Sequence, residues 1–304
     1  MNSTSLDPHL LHGRRQRPDG PMPVDIISVQ SQLVYGHAGN SAAVPPLLRL
    51  GLRVAEVPTT VLSNAPFYAT TRGRVLPADW LADLLLGVRE RGLHTRARML
   101  VSGYLGSADN GHVLADWLDA IRPETPQLRF CLDPVIGDTH TGAYVEPELE
   151  AVFRERLLPK AWLLTPNAFE LGRLSGLPAT TAAADGLAAA RELLARGPVW
   201  VVTHSLRGAP GELLTLAVGR DEAWCIASPE LPIDVAGTGD VLTALLVAGL
   251  LRGLAMPQAL EHAVAGVHAA LEATLAAQCE ELDVLAATPD STPLAPRFPA
   301  ICVD

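Results

Sequence analysis

Met99-Leu-Val-Ser102, a helical stretch over 111–121, and Arg129-Phe-Cys-Leu132 running into Asp133-Pro-Val-Ile-Gly-Asp138 decide the fold of this chain. The two apolar runs show no polar alternation, as expected of strands covered on both faces. The same beat recurs along the sequence. Further strands are expected at 24–29, 53–57, 161–164 and 199–202, with helices at 41–50, 78–91, 148–157 and 181–195 between them. Pro77 opens one helix and Gly51, Gly92 and Gly197 follow helix ends, the usual asymmetry of helix punctuation. Such alternation predicts an α/β fold with a mostly parallel central sheet and helices on both faces. Segments 212–218 and 223–227 read as an antiparallel hairpin on the sheet edge, and 257–277 as the last helix. Residues 1–23 are expected to be a disordered leader, 24–287 a single domain, and 288–304 a loose tail.

Composition narrows the class. The 304 residues are 48% hydrophobic and 18% charged with a net charge of −10, which suits a globular protein and argues against nucleic acid as a partner. The longest apolar run, 241–251, is too short to span a bilayer, so no membrane is expected. The leader has no apolar core of signal-peptide length, and the four cysteines are widely spaced. Both features point to a cytoplasmic protein. Lys160 is the only lysine, so any nucleotide must be handled without a Walker lysine.

In parallel sheets, ligands bind outside the carboxyl ends of the strands. Those ends here read Gln30-Ser31-Gln32, Gly103-Tyr104, Asp133–Asp138, Thr165-Pro-Asn167 and Thr203-His204-Ser205. Nearly all the unusual polar groups therefore fall on one edge. The same edge carries Gly237-Thr238-Gly239-Asp240 at the mouth of the apolar segment 241–251. Its glycines and helix N-terminus suit an anion, and Asp240 beside them suits a proton acceptor. Alternatively, Thr238 caps a buried helix and Asp240 complements its dipole. The carboxylates Asp133 and Asp138 read either as turn residues or as oxygen donors toward Mg²⁺. Asn167 and Glu170 have capping-box spacing, yet Glu170 would also face the ligand edge. His37 and His204 are candidate bases on the same edge.

Taken in order, these motifs resemble the pyridoxal kinases of the ribokinase-like superfamily. The match spans roughly residues 24–251: Val29-Gln-Ser-Gln-Leu-Val-Tyr-Gly36, Gly39-Asn-Ser41, Leu62-Ser-Asn64, Ser102-Gly-Tyr104, Asp133–Asp138, Gly142-Ala-Tyr-Val145, Thr165-Pro-Asn167 with Glu170, and Gly237–Asp240. The resemblance implies a three-layer α/β/α fold, a homodimer, and ATP-dependent phosphorylation of the 5′-hydroxymethyl of pyridoxal, pyridoxine or pyridoxamine. It makes Asp240 the catalytic base and Gly237, Thr238 and Gly239 the anion hole. It assigns Asp133, Asp138, Tyr144, Thr165, Asn167, Glu170 and Thr203 to the nucleotide, with Glu170 and Asp133 toward Mg²⁺, and Ser31, Phe67, Tyr104 and Asp240 to the vitamer. Mg²⁺ with ATP is the implied cofactor, and a monovalent cation stays open. Phe67 and His204 depart from the family pattern, which leaves the preferred substrate open. A hydroxymethylpyrimidine kinase is the nearest alternative activity, and a non-catalytic vitamer- or nucleotide-binding protein the more distant one.

Overall fold

A computed structural model describes residues 22–177, 182–288 and 295–303. The strands are β1 (Ile26–Leu33), β2 (Val54–Leu62), β3 (Gly73–Val75), β4 (Met99–Ser102), β5 (Arg129–Leu132), β6 (Gly137–Asp138), β7 (Gly142–Ala143), β8 (Leu163–Leu164), β9 (Trp200–Arg207), β10 (Glu212–Val218), β11 (Ala223–Pro229) and β12 (Ile301–Cys302). The α-helices are α1 (Asn40–Arg49), α2 (Ala78–Glu90), α3 (Ala108–Ile121), α4 (Pro147–Val152), α5 (Ala168–Ser175), α6 (Ala183–Leu194), α7 (Thr238–Leu251) and α8 (Met256–Ala276).

Among the described residues, ten strands form one sheet in the order β12-β11-β10-β9-β8-β5-β4-β1-β2-β3. Strands β2, β1, β4, β5, β8 and β9 are parallel, and antiparallel strands extend both edges. From β1 the chain moves outward to β2, then crosses back to β4 on the other side of β1. The strand order therefore reverses between β1 and β4, which opens a crevice at their carboxyl ends.

Side chains of the central strands alternate between two cores. Ile27, Leu100, Phe130 and Leu132 pack with α2–α6, while Ile26, Met99, Val101 and Cys131 pack with α1, α7 and α8. This is the three-layer α/β/α arrangement. Helix α7 lies deep in the second layer, with every residue from Val241 to Gly249 buried. Its sequence shows no polar stripe because it has no solvent face.

Three expectations change. Strands β1 and β9 run further than the apolar runs suggested, so Ser31, Thr203 and His204 lie within strands rather than beyond them. Around Ser31 the pairing of β1 with β2 slips between Gln30 and Gln32, a local irregularity of the kind that re-aims side chains. The helical stretch at 148–157 divides, with α4 giving way to a π turn over Phe153–Leu157.

The third change is the tail. Residues 295–303 are docked rather than loose. Ile301 and Cys302 pair with Cys225 and Trp224 of β11, and Arg297 forms a two-pronged ion pair with Glu272 of α8 at 2.8 and 2.6 Å. A two-residue edge strand has too little hydrophobic pattern to announce itself in sequence. The expected leader falls outside the described residues except for Met22 and Pro23.

Candidate active site

Helix α7 begins at a left-handed glycine, Gly237 (φ 90°), and no side chain caps it. Thr238 is the first helical residue and not the cap. The glycine is required by proximity as well as conformation: a Cβ at 237 would sit 2.4 Å from the His37 carbonyl oxygen. The uncapped amides of this first turn are unsatisfied donors suited to an anion.

Asp240, also in that turn, accepts the Gly39 N–H through Oδ2 at 2.8 Å. Burial pushes its pKa up to about 6, against the pull of the Gly39 amide. Gly39 in turn lies against Ser31, since a Cβ at 39 would meet both the Ser31 carbonyl oxygen and Oγ at 2.4 Å. Ser31, Gly39, Asp240 and Gly237 are thus one contiguous assembly at the end of β1. Beside them His204 approaches Gly239, with its imidazole 3.7 Å from where a Cβ at 239 would stand. Burial lowers the His204 pKa to about 4, and Nδ1 lies 3.0 Å from the Ser205 hydroxyl. With so low a pKa the ring is unprotonated at neutral pH but too weakly basic to be an effective general base.

The carboxylates form the second part of the site. Asp133 is buried, and its Oδ2 lies 3.3 Å from the Thr243 hydroxyl, which itself stands 3.0 Å from Thr165 Oγ1. Burial, followed by the charges of Glu170 and Asp240, raises the Asp133 pKa well above its ordinary value. Glu170 completes a capping box on α5: its Oε2 accepts Asn167 N–H at 2.9 Å, and Asn167 Oδ1 accepts Glu170 N–H at 3.0 Å. Its other oxygen accepts the Ile136 N–H at 2.9 Å. Burial nevertheless outweighs these amides and lifts Glu170 to about 8. The two readings of Glu170 are therefore compatible, because the cap leaves the carboxyl among Asp133, Asp138 and Tyr144.

Asp138 behaves differently. Both its oxygens serve its own β6–β7 hairpin, accepting from His140 N–H, Thr141 N–H and Thr141 Oγ1 at 2.7–2.8 Å. These bonds overcome partial burial and hold its pKa below the usual range. The same hairpin carries Tyr144, whose phenol pKa is raised by burial and by Glu170, Asp138, Asp133 and Asp240. The segment after Asp133 is thus a short hairpin facing the carboxylates. Thr165, just past β8, and Thr203, within β9, are fully buried, and Thr203 Oγ1 has no hydrogen-bond partner among the described residues. An orphaned hydroxyl on a ligand edge fits contact with a bound group.

The aromatic side is more open. Tyr104 is half-buried at the end of β4, and its carbonyl accepts from Thr59 at 2.6 Å. Burial, then Glu146, raises its phenol pKa. Phe67 is 51% exposed and stacks on Tyr68 with centroids 4.5 Å apart. Tyr68 is 6.2 Å from the Tyr35 ring, and these two line a cavity of about 340 Å³ with Ser63, Asn64, Ala69 and Thr70. Phe67 itself does not line it. Sequence reasoning missed Tyr35 and Tyr68 as wall residues, Thr243 on the apolar helix, and Glu281.

The chain matches the phosphomethylpyrimidine kinase family over residues 91–283. It is 42% identical to the pyridoxine/pyridoxal/pyridoxamine kinase of Bordetella bronchiseptica over 265 residues, covering 86% of this chain and 93% of that one. The chain belongs to the pyridoxal kinase family. The pyridoxal kinase PdxY of Rubrobacter xylanophilus is 40% identical, covering 91% and 96% of the two chains. Among solved structures, the pyridoxal kinase of Leishmania donovani in complex with ADP and pyridoxamine superimposes with a TM-score of 0.84 at 26% identity, covering 92% and 99%. The family kinship agrees with the fold.

Proposed function

We propose that this chain is an ATP-dependent kinase that phosphorylates the 5′-hydroxymethyl group of pyridoxal, pyridoxine or pyridoxamine. The observation that carries the chemistry is the pairing of an uncapped helix N-terminus, at Gly237, with a recessed carboxylate one turn on, at Asp240. A binder would need the amides but not the acid.

Phosphoryl transfer is mostly a matter of positioning and charge stabilisation. The α7 amides at Gly237, Thr238 and Gly239 receive the charge on the transferring γ-phosphoryl group. Asp240, with a pKa of about 6, is ionised at neutral pH and accepts a hydrogen bond from the vitamer hydroxymethyl. The acceptor oxygen forms its bond to phosphorus as the bond to the ADP oxygen breaks, and the hydroxyl proton passes late to Asp240. Ser31 and Tyr104, at the ends of β1 and β4, flank the ring; Phe67 shields its outer side. Thr165, Thr203, Asn167 and Tyr144 hold the nucleotide, while Asp138 acts mainly by fixing the hairpin of Tyr144.

Among the described residues no three His, Cys, Asp or Glu side chains stand close enough together to hold a metal ion by themselves. Yet the acidic groups suit a hydrated hard cation that arrives with the nucleotide: Asp133 and Glu170 are buried side by side with raised pKa values and no compensating cation from the protein. They would hold Mg²⁺ through water, where it supplies neutralisation of phosphate charge. Whether a monovalent cation joins it is a separate question for ion titration. No described helix is long and apolar enough to cross a membrane. A homodimer in the cytoplasm completes the proposal.

The family match also names phosphomethylpyrimidine kinase, so hydroxymethylpyrimidine is the second substrate to test. ADP release measured side by side with ATP and each vitamer or hydroxymethylpyrimidine separates the two. Higher kcat/KM for hydroxymethylpyrimidine would keep the kinase and remove the B6 assignment.

A further inference from the structure

Glu281 is a buried carboxylate that the mechanism above does not use. It comes from the segment after α8, remote in sequence from the glycine turn, and is 7% exposed. Its Oε2 accepts the His37 N–H at 3.0 Å. Gly36 makes room for it: a Cβ at 36, where φ is +86°, would lie 2.4 Å from both Glu281 oxygens. Its Oε1 has no hydrogen-bond partner of good geometry among the described residues, an expensive arrangement for a carboxylate with no purpose. The Tyr68 phenol lies beside it, and its pKa is raised by burial and by Glu281. Glu281 therefore anchors the Tyr35–Gly39 loop, whose His37 carbonyl packs on Gly237 and whose Gly39 amide holds Asp240. Tyr35, at the start of that loop, lines the cavity described above.

Resting on the kinase reading, we propose that Glu281 is a positioning residue for the phosphoryl acceptor: it latches the Tyr35–Gly39 loop against the glycine turn. The loop spans the distance between cavity and base without regular secondary structure of its own. Freed at His37, it could shift the Gly39 amide relative to Asp240, and displacements of about 1 Å near reacting groups can cost on the order of 10²-fold in rate. Among the described residues no contact joins Glu281 to the nucleotide carboxylates or threonines, so the effect falls on the acceptor and the transfer step rather than on nucleotide binding.

The test compares full-length wild type, Glu281→Ala, Glu281→Gln and Gly36→Ala in steady-state assays with ATP and pyridoxal. Glu281→Ala is expected to lower kcat/KM for pyridoxal by roughly tenfold to a hundredfold, with the KM for ATP within about threefold of wild type. Glu281→Gln recovers most of that loss, because a carboxamide oxygen still accepts the His37 N–H. Gly36→Ala pushes a methyl group into the same contact from the loop side and reproduces the Glu281→Ala pattern, which covers the case in which Glu281→Ala does not fold. A folded Glu281→Ala with wild-type kinetics, or Gly36→Ala with wild-type kinetics, would overturn the inference. So would a KM for ATP raised as much as the KM for pyridoxal. If wild type itself turned over none of the B6 vitamers, the kinase reading would fall and take this inference with it; the variants alone decide it otherwise.

Discussion

The Asp240 carboxylate accepts the backbone N–H of Gly39 at 2.8 Å, tying the first turn of α7 to the loop that follows β1. The bond joins two motifs distant in the sequence, the glycine turn and the loop after β1. It occupies one oxygen of Asp240, and in the proposed reaction the other meets the substrate hydroxyl.

Replacing Asp240 with Asn keeps the size and the Gly39 contact but removes the proton acceptor. The expected result is a fall in kcat of roughly 10²–10⁴ with ATP affinity little changed. Isothermal titration with an ATP analogue, run beside turnover measurements, checks both halves.

The pH profile follows from the same residue. With a pKa of about 6, Asp240 must lose its proton to serve as acceptor. The kcat/KM for pyridoxal is expected to rise through pH ~6 on its acidic limb. A limb near pH 4, the value of an ordinary carboxylate, would show that Asp240 is not the titrating group.

Glu170 offers a separation of its two tasks. Gln serves at the third position of a capping box, so Glu170→Gln is expected to keep the fold while raising the Mg²⁺ concentration needed for half-maximal activity by about tenfold. Stability gives a second readout. The folded-state pKa of about 8 lies above the ordinary carboxylate value of 4.5, so the stability from protonated Glu170 is complete below that lower value and lost as pH rises through 8. Urea midpoints of wild type should therefore fall more steeply between about pH 5 and pH 8 than those of Glu170→Gln. Parallel slopes would contradict the raised pKa.

Leu246, fully buried on α7, should be costly to truncate. Leu246→Ala is expected to destabilise the protein by about 2–5 kcal/mol, read as a lower urea midpoint.

Much of this architecture was legible in sequence, for identifiable reasons. Strands β4 and β5 are short continuous apolar runs, and their limits agree with the observed ones at Met99–Ser102 and Arg129–Leu132. The helix start at Gly237–Asp240 was legible because the glycines and the following apolar run mark it locally, although the sequence alone left Asp240 between a dipole partner and a proton acceptor. The Asn167–Glu170 cap was legible because its chemistry is local. What escaped depends on contacts distant in the chain. Thr243 looks like one more residue of an apolar helix until its hydroxyl meets Asp133 and Thr165. Glu281 reads as a surface acid after a helix, and only the fold brings it to His37. The docked tail depends on Arg297 finding Glu272, a pairing without local periodicity. Asp138 read either as a turn residue or as an oxygen donor, and its own hairpin, which occupies both oxygens, decides for the turn.

The central claim is that this edge phosphorylates a B6 vitamer with Asp240 as acceptor of the hydroxyl proton. The most direct measurement is ADP release with ATP, Mg²⁺ and, in turn, pyridoxal, pyridoxine, hydroxymethylpyrimidine, ribose and fructose, for wild type and Asp240→Asn. A flat, partly apolar pocket should reject sugars steeply, since their hydroxyls would be left unpaired. The account predicts turnover that is highest with pyridoxal or pyridoxine, absent with the sugars, and lost in Asp240→Asn. Sugar phosphorylation by wild type, or near-normal kcat for a folded Asp240→Asn, would contradict it.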